Sequence, residues 1–263
     1  MSEGTGRLRH VEHVMGTAFS FDVRGEPAPE VAQALAGAVD WLHRMDAMFS
    51  TYRPDSQICR LDRGETTPRA CDPEVREVLE LCGEAARATG GWFTAWPAGR
   101  LDPSAMVKGW AVERASSMLY EAGARDHMVN GGGDIQCRGE SAPGRPWRIG
   151  IAHPFRRGGL SVVVDGCHLA VATSGTTERG DHIIDPIAGT PATELASLTL
   201  VGRHLTEVDA LATAAFAMGE KAGEWVAARP GIEGYAVRAD GGSWWSAGFP
   251  AYCPGITPVA APR

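Results

Sequence analysis

Six short strand-like runs succeed one another between residues 127 and 202: His127–Asn130, Asp134–Gly139, Trp147–Ile151, Ser161–Asp165, His168–Thr173 and Ser197–Gly202. No helical period interrupts them until the end of the series. Strands grouped in this way, with helices grouped before and after, fit an α+β sandwich and not a strict βαβ alternation. The helices ahead of them are equally readable. Val31, Leu35, Val39, Leu42, Met45 and Phe49 recur at three- and four-residue steps, which predicts a helix over 27–49. Asp72-Pro73 opens a second, ended by Gly90-Gly91, and a third runs from about Lys108 to Ala122 before Gly123. Ala18–Val23 alternates like a half-buried strand, and Glu233–Ala239 and Ser243–Gly248 predict two closing strands. The residues between Phe49 and Gly64 read as a polar, cationic connection.

The chain has 263 residues, enough for one large domain or two lobes around a cleft. We expect one domain over 1–250 and a loose Pro/Ala-rich tail over 251–263. A net charge of −7 argues against a broad nucleic-acid footprint, so an anionic ligand needs a local group of cations or a metal. No apolar run approaches the roughly 20 residues that span a bilayer, so no membrane insertion is expected. The N-terminus shows neither an apolar signal region nor a lipobox-like cysteine, which makes the cytoplasm the expected location. The six cysteines include no C-x-x-C pair and are expected to be mostly buried small hydrophobes.

Thr206–Gly219 predicts a late helix capped by Thr206 and stopped by Gly219, with Leu211, Ala214, Ala215 and Met218 facing the core. Asp209 and Thr213 lie four residues apart, so their oxygens leave one face, one turn apart. A carboxylate with a hydroxyl suits a hard cation such as Mg²⁺; an Asp near a helix start also simply complements the dipole. Asp209 is expected to be partly exposed.

Four loop-like segments are rich in polar and glycine residues. Met15-Gly-Thr17 is either a turn or a ligand contact. Leu101–Trp110 places Asp102 before a helix whose first turn holds Lys108 and Gly109; free amides and an ammonium there suit phosphate, although the spacing is not that of a P-loop. Val129–Asp134 carries three glycines, which allow close backbone approach or a hairpin turn. Ala172–Pro186 concentrates Ser174, Arg179 and His182, donors suited to phosphate or a heteroaromatic edge, with His182 and Asp185 bracketing two isoleucines.

Taken in order, MGT, FSTYRPDSQICRLD, TGGWFTAW, LDPSAMVKGWAVE, VNGGGDI, WRIGIAHP, ATSGTTERGDHIIDP and VDALATAAFAMG resemble the ApbE family of FAD:protein FMN transferases. The resemblance runs from Met15 to Gly219. It implies a core related to the T-fold, with mostly antiparallel sheets, helices and a cofactor cleft between two lobes. It implies an enzyme that splits FAD with Mg²⁺, attaches FMN through a phosphoester to a Thr or Ser of an acceptor protein, and releases AMP. Asp209 and Thr213 would hold the metal, with backbone carbonyls of Ala105 and Ala212. Met15, Tyr52, Trp92, Phe93, Thr94, Asp102, Lys108 and Ile184 would contact the flavin nucleotide, and Ser174, Arg179 and His182 would line the same pocket. Tyr52, Trp92 and Phe93 offer flat surfaces for stacking. Asp209, Asp102 or His182 would take the proton of the incoming hydroxyl, and Lys108 would add a cation.

Two departures stand out: Thr94 occupies a position where the family commonly has Asp, and Ser56-Gln57 with Asp62 replaces a Ser-Glu…Asn pattern. An FAD pyrophosphatase giving FMN and AMP, and a non-catalytic FAD-binding protein, are the alternative readings.

Overall fold

The structure is a computed structural model, and it describes residues 6–26, 28–176, 180 and 183–254. Its centre is an eight-stranded antiparallel sheet in the order β1-β2-β3-β4-β7-β8-β9-β10. The strands are β1 Arg7–Val14, β2 Thr17–Arg24, β3 His127–Gly131, β4 Asp134–Arg138, β7 Leu169–Gly175, β8 Leu195–Gly202, β9 Glu233–Arg238 and β10 Ser243–Trp245. A separate hairpin, β5 Trp147–Ala152 with β6 Leu160–Gly166, lies over one face. The helices are α1 Pro29–Phe49, α2 Gln57–Asp62, α3 Pro73–Ala88, α4 Ser104–Glu121, α5 Leu205–Met218 and α6 Ala222–Ala227. Mixed α+β architecture with antiparallel pairing is as expected from the sequence.

Strand alternation produces two cores. Phe19, Phe21 and Val23 on β2 pack with Leu42, Met45, Leu119 and Phe216 from the helices. On the opposite face Ile135, Val171, Val201 and Val237 pack with Trp147, Ile149 and Val164 of the hairpin. The interior strand β8 is buried along its whole length because both faces are covered. The element order also repeats: hairpin β1-β2, helices, hairpin β3-β4, then hairpin β7-β8, helices, hairpin β9-β10. The two halves join where β4 pairs with β7, and α4 packs directly on α5.

Several boundaries differ from the sequence reading. Helix α4 begins at Ser104, so Lys108 and Gly109 stand in its second turn, not its first. The cap of α5 is His204, because Glu113 of α4 takes both the amide of Thr206 (2.9 Å) and its hydroxyl (2.7 Å). Nor is α5 an ordinary amphipathic helix: Leu205, Val208, Ala210, Leu211, Ala212 and Phe216 are all buried, covering every side. Gly219 ends it as expected, with φ of 59°. Strand β1 and helix α2 went unread. Helix α2 sits inside the supposed connection, capped by Ser56 Oγ accepting from the Cys59 amide at 3.0 Å. Five cysteines are buried and Cys167 is half-buried. Cys253, past the last strand, belongs to the second core.

Candidate active site

Two tight turns of the sheet gather at one end. Met15 and Gly16 link β1 to β2 with φ of 55° and 70°, the paired positive values of a two-residue hairpin turn. A Met at positive φ is strained, a cost of about 1 kcal/mol or more, and it is half-buried against the first core. Beside it, Gly132 has φ of 63°, and a Cβ there would lie 2.6 Å from Thr17 Oγ1. The glycines of the β3-β4 turn therefore let two hairpin turns touch. Asp134 follows directly, and β7 brings Thr173 and Ser174 alongside.

Asp134 is the most enclosed acid of this group, at 1% side-chain exposure. Its Oδ1 accepts the Thr173 amide at 3.1 Å, and its Oδ2 is ion-paired with Lys108 Nζ. The Lys108 ammonium is thus held over the β3-β4 turn by a buried partner. Sequence reasoning noticed the glycines here but gave Asp134 no role; an acid placed straight after them was the available signal.

The α4–α5 contact completes the arrangement. Asp209 is 4% exposed, against the expectation that it would be partly open. Past its first turn nearly every residue of α5 is buried, so an Asp in its second turn points into protein or into a pocket. Asp209 Oδ2 accepts the Gly109 amide at 2.9 Å. Only glycine permits the approach: a Cβ at 109 would lie 2.6 Å from Asp209 Cβ and 2.7 Å from the Leu205 carbonyl. One turn on, Thr213 Oγ1 lies 3.5 Å from Ser174 Oγ on β7. Ala212 is wholly buried.

The carboxylate of Asp209 and the hydroxyl of Thr213 are oxygen donors of the kind a hard cation takes. Magnesium needs few protein ligands when it also meets substrate phosphates. Among the described residues no group of three or more His, Cys, Asp and Glu side chains is arranged for a metal.

The remaining expected contacts divide by exposure. Tyr52 presents its ring to solvent at 94% exposure. Trp92 is half-buried, with Lys221 Nζ 5.7 Å from its ring centre. Phe93, expected as a stacking surface, is 1% exposed and packs in the first core, so its ring offers no open face. Thr94 Oγ1 accepts the Trp96 amide at 3.0 Å, serving a local turn. Asp102 Oδ1 accepts both the amide and the hydroxyl of Ser104, which ties down the first turn of α4. Asp62 anchors the same loop by accepting the Leu101 amide at 2.7 Å; that bond first, and then Arg100, hold its carboxyl below the usual range. Gln57 spans to α3, exchanging hydrogen bonds with Asp72. Ile184 is half-buried and pairs with Pro191. Arg179 and His182 lie outside the described residues.

The ApbE family model matches residues 15–97 and 94–236. The chain belongs to the ApbE family. The FAD:protein FMN transferase of Vibrio cholerae is 34% identical to it, over 81% of this chain and 82% of that protein. That of Treponema pallidum is 32% identical, over 90% and 87%. That of Rhodobacter capsulatus is 31% identical over 80% of this chain, which spans only 39% of that longer protein. Among solved structures, the flavin transferase ApbE of Vibrio cholerae matches with a TM-score of 0.82 at 22% identity, covering 94% of this chain and 99% of that one. The ApbE protein of Thermotoga maritima matches with a TM-score of 0.79, also at 22% identity, covering 94% and 99%. At that identity the likeness is one of fold, and it is the fold of this family. Among the described residues of this ApbE member, no helix is long and apolar enough to cross a membrane.

Proposed function

We propose that this chain is a Mg²⁺-dependent FAD:protein FMN transferase. It moves FMN from FAD to a Thr or Ser hydroxyl of an acceptor protein and releases AMP. The observation that carries this reading is the buried Asp209 carboxylate, set one turn from Thr213 and locked to the lysine-bearing helix through Gly109. A carboxylate enclosed to this degree needs a cation or strong donors around it.

The reaction joins the acceptor oxygen to the phosphorus of the FMN portion and breaks the bond from that phosphorus to the bridging oxygen. AMP leaves with the electron pair of that bond, and the hydroxyl proton passes to a base. Most of the protein's contribution to such a transfer is positioning and charge neutralisation. Asp209 and Thr213, with the Ala105 carbonyl and that of Ala212, would hold the magnesium ion, which supplies positive charge to the diphosphate. Lys108 stands as a further cation, its place fixed by Asp134. Met15 at the hairpin turn, Tyr52, Trp92 and the backbone at Phe93-Thr94, with Asp102, Ser174, Arg179 and Ile184, would form the flavin nucleotide pocket. Of the three candidates for the base, Asp209 is engaged by Gly109 and Asp102 by Ser104. Each uses a single carboxylate oxygen in that contact, so Asp209, Asp102 and His182 all stand as candidates for the base.

The test is incubation with FAD and Mg²⁺, with and without a candidate flavin-acceptor domain, followed by mass spectrometry of that domain. Gain of the FMN mass with matching AMP release is expected. Free FMN formed at one rate whether or not acceptor is present would make the chain a pyrophosphatase. Intact FAD after hours with Mg²⁺ would make it a binding protein only.

A further inference from the structure

On the helix-free face of the sheet, three guanidinium groups converge on one carboxylate. Asp22 on β2 is 8% exposed. Its Oδ1 accepts Arg7 Nε at 2.7 Å, its Oδ2 accepts Arg7 Nη2 and also Arg24 Nη2 at 3.2 Å, and Arg9 Nε stands 3.9 Å away. The strand register produces this grouping: Arg7 lies opposite Arg24 and Arg9 opposite Asp22, so all four leave the same face. One carboxylate against three guanidiniums leaves positive charge unbalanced, in a chain whose net charge is −7.

Arg24 bears that imbalance. Its Nε is buried with no hydrogen-bond partner among the described residues. Burial pushes its pKa down; Asp22 opposes the fall, and Arg7 and Arg9 add to it. Its guanidinium packs 4.9 Å from the centre of the Trp147 ring, which fixes its plane. Opposite stand Ser141, Arg145 and Arg148, the last held to Asp165 at 3.3 Å. Together these groups line a cleft of about 660 Å³. That volume lies within the range of roughly 300–1,000 Å³ typical of small-molecule sites.

We propose that this cleft is a second anion site, which takes the phosphate group of a small molecule between Arg24 and Arg145, with Arg7 and Arg148 flanking. Planar guanidinium forks match paired oxyanion oxygens, and an added anion balances the charge that Asp22 leaves over. The cleft is separate from the flavin pocket. Asp22 lies five residues, roughly 17 Å, along β2 from the Met15-Gly-Thr17 turn, on the sheet face away from α4 and α5. Free phosphate and a phosphate monoester share this chemistry.

Calorimetric titration of inorganic phosphate and of AMP, at constant ionic strength in EDTA, with and without saturating FAD, tests the site on the full chain. Saturable binding that persists with FAD present is expected, weakened at least tenfold in Arg145→Gln/Arg148→Gln. Both substituted residues are exposed, so the variant keeps its fold and its FAD binding. Arg24→Gln is expected to lose the site as well. Tighter binding of AMP than of phosphate identifies an ester, equal binding the free anion, and either supports the site. Binding abolished by FAD, or undiminished in the double variant, overturns the proposal. So does a cleft that takes a Glu-rich peptide while ignoring both phosphates, which would mark a protein-docking surface.

Discussion

Gly109 donates its amide proton to Asp209 across two helices whose residues are 100 positions apart in the chain. The bond exists because nothing but hydrogen separates the two backbones at that point.

Gly109→Ala is therefore expected to destabilise the fold by about 1–3 kcal/mol through overpacking. Displacing α5 by a fraction of an ångström is expected to lower FAD turnover by about tenfold or more. Gly37 in α1 is the control, since a Cβ there would meet only Met118 Cε at 3.9 Å. Gly37→Ala is expected to be neutral or to stabilise by up to about 1 kcal/mol. Denaturant unfolding compares the two; equal losses would show that the α4–α5 contact is not tight.

Asp209→Asn and Asp209→Ala separate charge from packing. The Asn variant keeps an acceptor for the Gly109 amide, so we expect stability near that of the parent and turnover lower by about 100-fold or more. The Ala variant strands a buried amide as well, at about 1–3 kcal/mol. Magnesium-dependent FAD consumption and thermal unfolding are the two readouts. Parent-level turnover in Asp209→Asn would remove the metal assignment.

The Lys108–Asp134 pair is asymmetric, with side-chain exposures of 25% and 1%. Lys108→Met takes a cation from an enclosed carboxylate and is expected to cost about 2–4 kcal/mol. Asp134→Asn is expected to cost less, because Lys108 keeps access to water. A double-mutant cycle by urea unfolding should show the double variant recovering part of the Lys108→Met loss. Additive losses would mean that the pair does not couple.

His127 gives the stability a pH dependence unconnected to the active site. It is fully buried, hydrogen-bonded to the Ala124 carbonyl through Nδ1 and to Ser116 Oγ through Nε2, both at 2.8 Å. Burial first, with Arg138 adding to it, lowers its pKa from 6.5 to about 4. The unfolded chain therefore binds a proton that the folded chain refuses. Stability is full above about pH 6.5 and falls as pH drops towards 4, by about 3 kcal/mol in total. His127→Gln should flatten that part of the profile, as urea unfolding at pH 7, 6 and 5 would reveal. An unchanged slope would place the acid sensitivity elsewhere.

Hydrophobic period was enough to read α1, α3 and nine of the strands, because most of those elements bury one regular face. Where contacts with distant residues decide, the letters are silent. Helix α2 has six residues and is held by Ser56 at one end and by Asp62 bound to Leu101 at the other. Strand β1 interleaves charged residues that make sense only once Asp22 lies beside them. Thr206 looked like a cap until Glu113, 93 residues earlier, took its amide and hydroxyl. The pairing of Asp209 with Thr213 followed from helical spacing alone. The burial of Asp209 did not, since it depends on the glycine in a different helix. Asp134 was legible as a position but not as the partner of Lys108.

The repeated hairpin–helix–hairpin order has a consequence for how this pocket is divided. Lys108, Gly109 and Asp134 come from the first repeat; Ser174, Asp209 and Thr213 come from the second. On the proposed function neither repeat owns a working set, and the chemistry would belong to the seam. Split between β4 and β7 and produced as two polypeptides, the molecule would be inert in each piece, and any activity regained on mixing would count the seams re-formed.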